Sequence, residues 1–315
     1  MGHTSELVLR FLRNYFPLKS ILLVRAFFGH GYCLKCPKIY LKLQKVYCVV
    51  VVLAYVLGVT NFTINWRRWM VYEAVIATLT SCFIEGDYCG KFFSFVYRTD
   101  QSFSHYRLYL ASCRIYVVFF VTVSIRLYMD FSNIGALLVV PMHYLILLFA
   151  YASIDFSHFL RIIVFDILYE RAMHLRNHFE SIFLRVYGDD SMVSEIRQGI
   201  LLYKELIQSV TLLEKIQVSY VIALVTRFVV NIADIHDVFY MYINDQVIYH
   251  NIRIVGCECV YYAVFICIPA FLMELVHNEV DKITSILTMQ YGISTDREVR
   301  VAISRGLRYM QLRPL

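Results

Sequence analysis

Apolar residues dominate six stretches of this chain, each close to the ~17–25 positions that carry an α-helix across a bilayer. They are Val46–Phe62, Trp69–Gly86, Leu108–Tyr128, Ile134–Ile154, Val218–Ile243 and Ile254–Leu275. The first is uninterrupted, with valine at every position from Val49 to Val52. The second and third contain Glu73 and Arg114, and the fifth contains Arg227, Asp234, His236 and Asp237. Pro141 and Pro269 fall inside the fourth and sixth, where a membrane helix tolerates a kink. The pattern predicts an all-α fold, a polytopic transmembrane helical bundle with six spans.

Outside these runs the period changes. Phe156, Phe159, Ile163, Ile167, Leu175, Phe179 and Ile182 recur mostly at three- and four-residue steps, so an amphipathic helix continues out of the fourth span. Tyr187-Gly188-Asp189-Asp190-Ser191 reads as a turn. Ile196, Tyr203, Leu206, Val210 and Leu213 then mark a second amphipathic helix running into the fifth span. Beyond the sixth span, Val276–Leu287 and Val299–Gln311 read as further helices. The organisation expected is an N-terminal arm (1–45), spans one to four (46–154), a helical connection (155–217), spans five and six (218–275) and a helical tail (276–315). The helices outside the bilayer are expected to pack as one cytosolic layer, within or between subunits.

Composition agrees with the pattern. The chain has 315 residues, is 59% hydrophobic and only 17% charged, and contains 25 tyrosines and 23 phenylalanines. Its mean hydropathy is +0.58. A soluble fold lacks the polar residues to cover so much apolar surface, which excludes a cytosolic enzyme, a disordered chain and a nucleic-acid binder. Placement of charge predicts orientation. The N-terminal arm, the second and fourth connections and the tail hold 24 of the 30 Lys and Arg residues, so these segments are expected on the cytosolic side. The cytosolic N-terminus argues against a G-protein-coupled receptor. The one sequon, Asn61-Phe62-Thr63, falls at the outer end of the first span, in agreement with that orientation. Nine cysteines are scattered, and Cys33-Leu-Lys-Cys36 lacks the second Cys/His pair that a zinc site needs.

Ionisable residues within spans are costly and usually face a cavity or a partner. With this orientation Glu73, Arg126, Asp234, Asp237 and Glu258 fall towards the outer half of the bilayer, with His236 beside them. His143, Tyr144, Tyr240 and Tyr261 are candidate neighbours, together with Tyr72 and Tyr262. Tyrosine offers an apolar ring with a polar tip, and carboxylates among aromatic rings suit a sugar or a cationic alkaloid. The structural alternatives are an Arg126–Asp234 ion pair, an Arg114 that snorkels, an Asn231 partner for Arg227 and a His143 that satisfies a carbonyl freed at Pro141. His174 and His178 lie near Glu170 without the H-E-x-x-H pattern, and phosphate-loop and G-x-S-x-G motifs are absent, so neither an enzyme nor a cofactor is expected.

Six spans, an inside N-terminus, short outer loops and a long helical inner connection resemble the insect gustatory receptors of the inverted seven-span chemoreceptor superfamily. Leu201-Leu202-Tyr203-Lys204-Glu205-Leu206-Ile207 resembles the family's Tyr-x-x-Leu-like helix, and Leu307-Arg308-Tyr309-Met310-Gln311-Leu312 the stretch before its seventh helix. The resemblance implies a tastant-gated cation channel subunit at the cell membrane, with an outer-facing small-molecule pocket and a homo- or hetero-tetrameric assembly. The family's seventh, pore-lining helix carries a Thr-Tyr and a Gln, and the tail that ends in Arg313-Pro314-Leu315 is expected to lead to a missing seventh span. A small-solute transporter using Asp234, Asp237 and Arg227, an odorant-receptor-like protein and a non-conducting truncated subunit are the alternatives.

Overall fold

The computed structural model describes residues 18–31, 38–59, 65–85, 91–93, 95–96, 113–132, 141–184, 191–243 and 249–313. The Cys33/Cys36 pair, the Asn61 sequon and the turn at 187–190 lie outside the described residues. Nine α-helices are described: α1 Leu18–Phe27, α2 Lys38–Val59, α3 Asn65–Thr80, α4 Cys113–Ser132, α5 Pro141–Leu184, α6 Ser191–Leu212, α7 Glu214–Ile243, α8 Tyr249–Ile293 and α9 Arg297–Leu312. A π-helical turn, Ser81–Glu85, continues α3. No strand occurs among the described residues. The fold is an all-helical membrane bundle.

Among the described residues, four segments are long and apolar enough to cross a bilayer: Ile39–Gly58, Leu145–Leu184, Ile216–Asp237 and Gly256–Ile293. The second and third expected spans correspond to α3 and α4, which fall short of that measure. Helix α3 has 16 residues including Arg67, Arg68 and Glu73, and α4 carries Arg114, Arg126 and Asp130. Glu73 and Arg126 are nevertheless buried, so their charges meet protein partners that hydropathy cannot register.

The lipid-like exterior is plain on α7. Val221, Leu224, Val225, Phe228, Val229, Ile232 and Ile235 are all exposed, while Arg227, Val230 and Asp234 are buried on the opposite face at helical spacing. Helix α5 is 44 residues long and opens at Pro141, where the first helical turn needs no N–H donor. Pro269 lies inside α8 and denies a donor to the Phe265 carbonyl. One residue further on, the Tyr220 hydroxyl donates to the Ile266 carbonyl at 2.6 Å.

The lower ends of α5 and α8 join α6 and α9 in a four-helix layer. Arg176 of α5 meets Glu279 of α8 at 3.1 Å, and an added Cβ at Gly199 of α6 would lie 2.6 Å from the Phe179 ring of α5. The Tyr203 and Tyr309 rings of α6 and α9 meet edge to face at 6.3 Å. Thr284 of α8 donates to the Met310 sulfur of α9 at 3.9 Å. These pairings make α5 and α8 run one way and α6 and α9 return. Leu175, Phe179, Ile196, Leu206, Ile283, Leu287, Ile303 and Met310 fill the layer. Each such side chain contributes about 1.5–3 kcal/mol by leaving water. Helix α6 gives way to α7 at Leu213, a wholly buried turn residue whose N–H bonds Val210 at 2.8 Å.

Helix α1 is tied into the bundle by polar contacts. The wholly buried Arg25 donates to the Gly31 carbonyl at 2.7 Å, and to the Ser81 hydroxyl in the π turn. Gly29 ends the turn with φ +87°, a conformation that favours glycine, and an added Cβ would sit 3.1 Å from Val51. The His30 ring then meets the Ser153 hydroxyl at 3.0 Å.

Candidate functional site

Five helices converge on one buried polar cluster. From α3, Glu73 accepts a hydrogen bond from Arg227 Nη1 of α7 at 2.7 Å. Asp234, two turns along α7, stands 3.8 Å from Arg227 Nη2. From α4, Arg126 forms a two-pronged pair with Asp155 of α5, at 2.9 Å through Nε and 3.1 Å through Nη2. Such planar forks match a carboxylate in both position and angle. Arg126 also donates to the Tyr262 hydroxyl and stands 3.9 Å from Glu258, both on α8. The Tyr261 hydroxyl donates to Asp155 Oδ1 at 3.3 Å.

Tyr262 binds the two arginine groups together. The Arg227 guanidinium lies 4.1 Å from its ring centre and the Arg126 guanidinium 5.4 Å. Arg126 also packs 4.4 Å from the centre of Tyr151 and 5.3 Å from that of Tyr261. An isolated charge in this environment would be strongly destabilising, so cations stacked on rings and forked onto carboxylates are the forms that survive burial. Two guanidiniums face four carboxylates, those of Glu73, Asp155, Asp234 and Glu258. Asp234 Oδ1 and Glu258 Oε2 are buried with no hydrogen-bond donor among the described residues.

Beside this cluster a cavity of about 130 Å³ lies between α4 and α5. Phe119, Val123, Leu127, Phe156 and Phe159 give it apolar walls, and Ala152, Thr122, Arg126 and Asp155 complete its lining. Phe119 and Phe159 pack with ring centres 5.3 Å apart. The result is a mostly apolar recess, with three phenylalanines in its walls and one ion pair behind them, the kind of surface that takes a small apolar molecule.

The expected site residues fall into three groups. Glu73, Arg126, Asp234, Glu258 and Tyr261 come together, with Tyr262 among them. Asp237 and Tyr240 lie further along α7. Asp237 meets the exposed His236 at 3.4 Å, and Tyr240 is 63% exposed. Tyr72 is also exposed, with its ring 5.9 Å from Trp69. His143 and Tyr144 belong to the first turn of α5, and their side chains lie outside the described residues.

Several expected pairings are replaced. Arg126 pairs with Asp155 rather than Asp234, because α5 rather than α7 lies against this part of α4. Arg227 takes Glu73 rather than Asn231 as its hydrogen-bond partner. Arg114 does not snorkel: it stands 3.2 Å from Asp166, also pairs with Glu170 and packs 4.4 Å from the Tyr169 ring centre. His174 stands 3.8 Å from Glu170, and among the described residues no metal-ligand cluster forms.

Asp155 and Tyr151 were not anticipated. Asp155 reads as the first residue after the fourth span, yet α5 passes through it without a break and buries it. The available signal was the four-residue step from Tyr151 to Asp155, which puts both on one helix face.

No family model matches the chain, and no curated protein matches it either. Solved structures do. The insect olfactory receptor OR5 from Machilis hrabei in complex with eugenol matches with a TM-score of 0.55 and 12% identity over 95% of this chain and 89% of that one. A second structure of the same receptor matches with a TM-score of 0.54 and 15% identity over the same shares. These neighbours are receptors rather than enzymes. Over nearly its whole length, the chain has a fold similar to that of an insect olfactory receptor.

Proposed function

We propose that the chain is a small-molecule chemoreceptor subunit of the insect gustatory type, which binds its tastant in the recess between α4 and α5. The observation that carries this reading is the apolar cavity beside the Arg126–Asp155 pair, within a fold similar to a receptor solved with the small molecule eugenol. The recess favours a compact, apolar ligand. Its walls contribute apolar contact, while Arg126 and Asp155 stand behind them, each engaged by the other.

In this reading the N-terminus and the four-helix layer lie in the cytosol, as the distribution of Lys and Arg favours, and the recess belongs to the outer half of the bilayer. Subunits assemble as a tetramer with related receptors, and ligand binding shifts a closed–open equilibrium of a cation pathway. That shift requires tighter binding to the open form. The cluster of Glu73, Arg227, Asp234, Glu258 and Tyr262 couples α3, α7 and α8 to the recess through Arg126.

The test is calcium entry in cells expressing the chain, alone and with a related receptor subunit, across sugars, alkaloids and small aromatic alcohols. A saturable response to a compact ligand, absent from untransfected cells, is expected. Silence to the whole panel, with the protein present at the cell surface, contradicts the proposal.

A further inference from the structure

The lining of the α4–α5 recess is graded from the inside outwards. Thr122, Arg126, Asp155 and Phe159 are buried, and Phe119, Ala152 and Phe156 are half-buried. Val123 and Leu127 are 36% and 50% exposed. These two stand one turn apart on α4, so the cavity meets the exterior of the bundle along that edge.

Among the described residues, the exterior around this opening is apolar. From Val117 to Leu127 every exposed residue of α4 is apolar except Ser124. Across the opening, the exposed and half-buried residues of α5 from Leu145 to Phe156 are all apolar. Arg126, the one charged residue in this stretch of α4, turns inward to Asp155 and Tyr262. An apolar band about 15 Å long on a membrane bundle has the composition of a lipid-facing wall rather than of a water-filled vestibule.

The inner side of the recess limits what can enter. Arg126 and Asp155 hold each other, and the remaining arm of Arg126 is turned to Glu258 of α8, 3.9 Å away. The Tyr261 hydroxyl bonds Asp155 and also the Thr122 hydroxyl. A polar ligand would give up its hydration without gaining a free partner among the described residues. The cavity of about 130 Å³ is close in size to a dry apolar cavity of ~150 Å³ that takes benzene.

We propose that the recess opens sideways into the bilayer and takes its ligand from the lipid phase, past Val123 and Leu127. The ligand class is a neutral molecule with a hydrocarbon-like group of about benzene size, and any longer chain trails among the acyl tails. This rests on the reading of the recess as the ligand site, and it adds a route and a class that exclude sugars and charged alkaloids.

The experiment places the full chain in phosphatidylcholine nanodiscs with Leu127→Trp as a reporter, and with Trp66→Phe and Trp69→Phe to remove the two native tryptophans. Lipids brominated on their acyl chains are expected to quench most of the emission, and iodide in the water almost none. Fluorobenzene is the ligand probe, followed by fluorine NMR with the parent chain. It is expected to bind saturably, at least about tenfold more weakly to Ala152→Leu, with excess glucose unable to compete. Quenching by iodide as strong as that by brominated lipid puts the opening in water and overturns the proposal. Quenching by neither assigns the opening to contact between subunits and overturns it as well. Absence of saturable fluorobenzene binding, or binding unchanged in Ala152→Leu, also overturns it. Calcium entry reports separately on the receptor reading: silence, with quenching and binding as expected, would contradict that reading and leave the lateral opening in place.

Discussion

Arg227 and Glu73 face each other 2.7 Å apart, with side chains 1% and 4% exposed, and they join α7 to α3 inside the bundle. Neither helix offers water to the other's charge, so each group depends on its partner. Arg227→Met leaves Glu73 buried and uncompensated and is expected to lower stability by about 3–5 kcal/mol. Glu73→Met alone does the same to Arg227, although Asp234 at 3.8 Å softens that loss. The double variant should recover most of the difference. Thermal unfolding of the four proteins in one detergent measures the cycle, and strictly additive losses would show that the pair does not act as one.

Glycines in this fold divide by what stands opposite them. Gly199→Ala places a Cβ 2.6 Å from the fully buried Phe179 ring, so the ring or the helix must shift within the layer. The expected loss is about 1–3 kcal/mol, more than the helix propensity gained. At Gly292 nothing lies within 4 Å of the added carbon. Gly292→Ala should therefore raise stability by about 0.5–1 kcal/mol. Melting points that move the same way for both variants would contradict this division.

Tyr203 makes alkaline stability measurable. It is 1% exposed in the four-helix layer, and burial pushes its phenol up to about 12 from an ordinary value of 10. The neutral form is the one favoured on folding, so this contribution is complete below about pH 10. As pH rises from 10 towards 12 the unfolded chain loses its proton first, and stability falls. Tyr203→Phe lacks that component. Its melting temperature should decline less steeply than that of the parent over this window, and parallel slopes would contradict the assignment.

Much of the architecture was legible from periodicity, and the reasons differ by element. On α7, charged residues interrupt an otherwise apolar helix at Arg227 and Asp234, which is a pattern of an inward face whatever the partners. The long α5 was visible because its apolar steps continue past the expected span. The same continuity hid Asp155, since a carboxylate at the end of an apolar run reads as the beginning of a connection. Partner choice was not legible. Arg126 could be matched with any nearby carboxylate until the packing of α4 against α5 selected Asp155. Nor was the partner of Glu73 legible: the apolar run marked α3, but its carboxylate is compensated from a helix more than 150 positions away in sequence.

The most direct test of the receptor account changes the shape of its recess. Ala152 lines the cavity of about 130 Å³, and Ala152→Leu adds three carbons to that wall. Leu184→Ala alters a residue 83% exposed at the far end of α5 and serves as the reference. The measurement is the concentration of an active tastant giving half-maximal calcium entry in cells with matched surface expression. The account predicts an increase of at least about tenfold for Ala152→Leu, since the added volume displaces ligand contacts, with Leu184→Ala unchanged. An identical half-maximal concentration in all three proteins would contradict it and remove the ligand from the α4–α5 recess.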